Sequence, residues 1–96
     1  MGVQYIGERY VDIGEEIHIQ VIVKLVCEKE IPFTIRSARF ELFNKSGSLE
    51  ASGDCTITYH TLDALINPQT VGTYTLKFIY NVGDETWVEP VKLRVS

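Results

Sequence analysis

A chain of 96 residues, 45% hydrophobic and 23% charged, is long enough for one buried core and too apolar for disorder. With a formal net charge of −4 and its nine Lys and Arg spread along the sequence, it lacks the basic footprint of a nucleic-acid binder or of a surface drawn to anionic lipid. No apolar run approaches the roughly 20 residues of a spanning helix, so neither a nucleic-acid partner nor membrane insertion is expected. The opening Met1–Ile6 has neither the basic region nor the apolar core of a signal peptide. The expectation is a single domain over 1–96, cytoplasmic before any assembly.

Period-two alternation, the mark of half-buried strands, runs through the chain. The first strand is expected over 3–11. The second, over 15–27, sets Ile17, Ile19, Val21, Val23 and Leu25 against His18, Gln20, Ile22, Lys24 and Val26. A third, over 35–43, turns Ala38, Phe40 and Leu42 inward and Arg39, Glu41 and Phe43 outward. A short strand over 48–53 follows the polar turn Asn44–Gly47. In the next, over 55–62, Cys55, Ile57 and Tyr59 alternate with Thr56, Thr58 and His60. Thr61–Asn67 is expected to form one helical turn. The last two strands, over 72–82 and 85–95, are joined by Asn81-Val82-Gly83-Asp84, where Gly83 supplies the positive φ of a tight hairpin. That hairpin brings Tyr80 near Trp87. The core is expected at Ile19, Val21, Val23, Phe40, Leu42, Ile57, Leu76, Phe78 and Leu93.

Little in this pattern carries chemistry. His18 and His60 face outward on neighbouring strands, but no acid or Cys completes a three- or four-ligand metal set. Ser37, Ser46, Ser48, Ser52 and Ser96 fall in turns or at the terminus, with no Gly-x-Ser-x-Gly elbow. The glycines are isolated turn residues and form no phosphate-binding loop. Glu15-Glu16, Glu28 with Glu30, and Asp84-Glu85 lack the spacing of a calcium loop. The reading is a non-enzyme without cofactor or metal. Cys27 ends one strand and Cys55 begins another. A bridge between them would close a loop of roughly 28 residues and add about 3 kcal/mol, whereas a cytoplasmic pair stays reduced. Ile22, Val26, Phe43 and Ile79 are apolar at outward positions. They are candidate interface residues for a protein partner or for self-association.

Val71-Gly72-Thr73-Tyr74-Thr75-Leu76 places a Gly-x-Tyr at the start of the penultimate strand, after the Pro68 loop. It resembles the tyrosine corner of immunoglobulin-like domains, in which the Tyr hydroxyl ties the loop back to the strand. Val11–Ile17 resembles the entry to the second strand of bacterial Ig-like modules, and the Asn44–Gly47 turn follows the third strand as it does there. The chain departs from antibody domains: Leu76 stands where the second Cys would be, and Trp87 lies on the last strand. The resemblance implies an all-β, antiparallel immunoglobulin-like sandwich of about seven strands, with Tyr74 as a structural lock. It further implies a small phage or prophage structural protein that ends in a virion. The alternative is an extracellular adhesion or carbohydrate-binding module, with Tyr80 and Trp87 as binding-loop aromatics.

Overall fold

Nine strands take up the alternating segments of the computed structural model, which describes residues 2–5, 9–24 and 34–96. They are β1 (Gly2–Tyr5), β2 (Arg9–Val11), β3 (Ile17–Lys24), β4 (Ile35–Phe43), β5 (Leu49–Asp54), β6 (Thr56–Thr58), β7 (Thr61–Ile66), β8 (Gly72–Val82) and β9 (Glu85–Val95). One sheet has the order β1-β3-β7-β6 and the other β2-β9-β8-β4-β5. All pairs are antiparallel except β2 with β9, which runs parallel. This is the immunoglobulin-like order, four strands facing a sheet built on the third, sixth and seventh strands of that fold.

The expected inward faces form the core between the sheets. Ile19, Val21, Val23, Phe40, Leu42, Leu76, Phe78 and Leu93 are all buried. Ile57 is half-buried and packs against them. Phe40 needs a small neighbour on the edge strand. A Cβ on Gly53, opposite it, would stand 3.1 Å from the ring, closer than the packed ring readily yields. Gly83, at φ 60°, opens the two-residue turn between Val82 and Glu85.

Two expectations about the elements are corrected. The first strand is two strands in different sheets, β1 on β3 and β2 on β9. Thr61–Asn67 is no helical turn, because Thr61–Ile66 is a strand paired along its length with β3, from Ile22↔Thr61 to Ile17↔Ile66. Leu62, Leu65 and Ile66 have helical spacing. Leu62, Ala64 and Ile66 also alternate, and burial of these three at 0–2% exposure selects the strand. The strand expected over 55–62 therefore breaks at Tyr59-His60, the tip of the β6–β7 hairpin. Tyr59 sits there at φ 56°, 83% exposed and stacked on His60.

Tyr74 closes one end of the sandwich. Its side chain is fully buried, and its hydroxyl accepts from the Thr70 backbone N–H at 3.0 Å. The same oxygen lies 2.7 Å from Thr70 Oγ1 and donates to the Glu50 carboxylate, whose oxygens lie at 2.8 and 2.9 Å. The loop before β8 is thus tied to β8 itself, as in a tyrosine corner. Glu50 adds a tie to β5.

Candidate functional site

The outer face of the five-stranded sheet follows from its registers. With Tyr74, Leu76, Phe78 and Tyr80 inward, β8 turns Thr73, Thr75, Lys77, Ile79 and Asn81 to the outside. Cross-strand pairing then arranges that face in rows. At the hairpin end lies Ser37–Asn81–Thr86. Asn81 Nδ2 donates to Ser37 Oγ and Thr86 Oγ1 donates to Asn81 Oδ1, each at 2.7 Å. The next row is Asp54–Arg39–Ile79–Val88, followed by Ser52–Glu41–Lys77–Pro90 and Leu49–Phe43–Thr75–Lys92. The last is Thr73–Arg94–Tyr10.

Three large hydrophobics stand well exposed on this face: Tyr10 at 68%, Leu49 at 53% and Val88 at 52%. Ile79 and Phe43 are half-buried within it. Lys77 Nζ lies 4.9 Å from the centroid of the Phe43 ring, a cation–π contact that holds the ammonium over the apolar patch. Arg39 reaches Glu41 at 3.6 Å. Arg39, Lys77, Lys92 and Arg94 therefore share one face, on which Glu41 and Asp54 are the carboxylates among the described residues. The cations that are spread along the sequence are gathered by the fold. At the hairpin end, Arg36, Ser37, Asn81 and Gly83–Thr86 line a shallow polar cleft of about 440 Å³, with Arg36 donating to the Gly83 carbonyl at 3.2 Å.

Of the four candidate interface residues, the three that are described, Ile22, Phe43 and Ile79, do not form one patch. Ile79 and Phe43 share the outer face with the Glu41–Lys77 row between them. Ile22 is half-buried on the outer face of the other sheet, opposite Thr61. Val26 lies outside the described residues, as does Cys27, so the Cys27–Cys55 pairing falls there too. Cys55 is half-buried with a free thiol. Burial, reinforced by the charges of Asp63 and Asp54, pushes that thiol up to about 12.

Tyr80 and Trp87 are a correction. They are paired strand residues facing inward, not loop aromatics: Tyr80 is fully buried, and Trp87 is half-buried and packed against the core. Tyr80 Oη and Trp87 Nε1 are both buried and have no hydrogen-bond partner among the described residues. Tyr80 has the same parity as Tyr74, Leu76 and Phe78, and Trp87 the same as Val91, Leu93 and Val95. The alternation alone therefore placed them inside.

On the outer face of the four-stranded sheet, Asp63 accepts from His18 Nδ1 at 2.7 Å and from Gln20 Nε2 at 2.8 Å. This acid partner of His18 lies 45 residues away in sequence. Burial alone would raise the Asp63 carboxyl, but the His18 and Gln20 hydrogen bonds and the His18 charge outweigh it and hold the group below its ordinary value. A depressed carboxyl contributes stability above its unfolded value of 3.8 and loses it as pH falls through the folded value. Asp63→Asn is expected to lower stability by about 0.5 kcal/mol at pH 6. The difference should shrink below pH 3.8 in urea titrations. Among the described residues no group of three or more His, Cys, Asp and Glu could hold a metal ion.

No protein-family model matches the chain, and no curated protein matches it. Among solved structures it is similar to an engineered protein, with a TM-score of 0.73 at 13% identity over 99% of this chain. This chain spans 20% of that protein's length. It is also similar to CopC from Methylosinus trichosporium OB3b, with a TM-score of 0.66 at 10% identity over 100% of this chain and 90% of that one. At such identities the likeness is one of fold: an all-β sandwich.

Proposed function

We propose that this chain is a non-enzymatic assembly module that docks protein, its own kind included, through the outer face of the five-stranded sheet. Its setting is that of a small virion-associated structural protein of a phage or prophage. One observation carries the docking role: Ile79 and Val88 form an apolar centre between a polar row, Ser37–Asn81–Thr86, and a charged row, Glu41–Lys77–Pro90. An apolar centre with a polar rim is the anatomy of a protein interface. The virion setting is supported only by the likeness of the Val11–Ile17 and Val71–Leu76 segments to Ig-like modules. The adhesion alternative loses Tyr80 and Trp87 as sugar-stacking platforms, since both point inward.

The test is light scattering over a concentration series on the wild type and on Val88→Glu, whose side chain is half in solvent and tolerates a charge. The wild-type mass is expected to rise above 10.9 kDa and the variant to stay at it. An equal rise in both would remove the outer face as the docking site.

A further inference from the structure

The proposed docking face leaves the partner unnamed, and the charge distribution of the chain identifies one. Among the described residues the face holds four cations against two carboxylates, in a chain of net charge −4 whose acid therefore lies mostly elsewhere. Acid lies beside exposed apolar side chains at one end of the sandwich. The turn entering β3 reads Asp12-Ile13-Gly14-Glu15-Glu16, all exposed, with Ile13 at 48%. Val71, 54% exposed, stands on the neighbouring loop. The two loops are locked together by Gly14 N–H donating to the Pro68 carbonyl at 2.9 Å, and Ile13 N–H donates to the Ser96 carbonyl at 2.9 Å. This tip is therefore pre-organised, which lowers the ordering cost of docking.

We infer that the partner is a second copy of this chain, whose acidic tip (Asp12, Ile13, Glu15, Glu16, Val71) docks on the basic outer face around Ile79, Val88, Lys77 and Lys92. The inference rests on the docking role of that face. Ile13 and Val71 meet the apolar centre, and the three carboxylates meet the surrounding cations. The molecule measures 42 × 22 × 21 Å. The tip lies at one end, beside the Thr73–Arg94–Tyr10 row, whereas Ile79 and Val88 lie toward the β8–β9 turn near the other, so a tip cannot reach its own Ile79–Val88 centre. The contact joins two different surfaces. It is heterologous and propagates from copy to copy, closing into a ring or extending as a filament according to the rotation it imposes. Four strands at about 4.8 Å spacing and six residues of length give a footprint of about 400 Å² per partner. That is half the roughly 800 Å² of a stable complex, so association is weak, strongly concentration-dependent and reduced by salt.

Complementary charge reversal tests it by sedimentation velocity at low salt. One variant carries Lys77→Glu with Lys92→Glu, the other Glu15→Lys with Glu16→Lys, and the thermal midpoint of each confirms folding. Each variant alone is expected to lose association, because its tip and face now carry like charge. The equimolar mixture is expected to regain it, because the unaltered tip of the first fits the unaltered face of the second. A wild type that remains monomeric overturns the second-copy inference and leaves the docking role open to a foreign protein. Undiminished association of the Glu15→Lys, Glu16→Lys variant also overturns it, since a face-to-face dimer would not use the tip. The turn substitutions are exposed, so that variant decides the matter even if the Lys77→Glu chain fails to fold.

Discussion

Tyr74→Phe is expected to destabilise the domain by about 2 kcal/mol. The ring is buried to 0% exposure and fits as Phe, so the loss is that of the hydroxyl. Three polar partners depend on that atom. The Thr70 N–H loses its acceptor, Thr70 Oγ1 loses its neighbour, and the Glu50 carboxylate loses a charge-assisted donor at 2.8 Å. The Glu50 bond is the strongest of the set, since hydrogen bonds to an ionised group are about twice as strong as neutral ones. Gln69 N–H also points to Glu50, but at 3.3 Å it is a weak substitute. For a domain of this size, about 2 kcal/mol corresponds to a fall of roughly 10 °C in Tm. An unchanged midpoint in guanidinium would show that the corner contributes nothing.

The same substitution six residues along the same strand is expected to act in the opposite direction. Tyr80→Phe should raise stability by about 1 kcal/mol. Tyr80 is as buried as Tyr74, yet its hydroxyl meets no partner among the described residues. A buried donor left unpaired costs about 1–3 kcal/mol of desolvation, and Phe removes the group while keeping the ring. The two effects together separate what a tyrosine contributes by area from what it contributes by hydrogen bonding. The alkaline limb gives a second readout. Burial, helped by the Glu89 charge, pushes the Tyr80 hydroxyl up to about 12 from 10.0. The folded state then holds its proton where the unfolded chain has released it. The Tyr80 contribution is therefore intact below pH 10 and is lost as pH rises toward 12. Cys55, raised from 9.0 to about 12, adds a loss of the same sign that begins lower, above pH 9. Tyr80→Phe should flatten this alkaline decline without abolishing it. A Tyr80→Phe chain less stable than wild type at neutral pH would mean that the hydroxyl is satisfied.

Much of the fold could be read from alternation, because each strand reports its own two faces. β3, β4, β8 and β9 were legible with their inward residues, and the Gly72-Thr73-Tyr74 motif pointed to the corner. The parity of Tyr80 and Trp87 was equally plain, but proximity to a turn suggested exposure instead. What could not be read is register. Nothing local to Asp63 says that it will face His18, nor does anything near Glu50 say that it will meet Tyr74. The basic face has the same origin. Arg39, Lys77 and the Lys92–Arg94 pair are far apart in sequence and meet only because β4, β8 and β9 pair with particular offsets. Thr61–Ile66 fits two periods in sequence, and only pairing with β3 chooses between them.

The parallel pairing of β2 with β9 has a mechanical consequence. Arg9–Val11 lies alongside Leu93–Val95 with both strands running the same way. The chain enters this pair at one end and leaves it at the other. Tension drawn along the polypeptide from both sides would slide one strand past the other and load the hydrogen bonds of that ladder together. An antiparallel pair pulled from its open end would unzip, each bond breaking in turn. A pull between the two ends of the chain would thus load this ladder in shear, the direction in which a short ladder resists most.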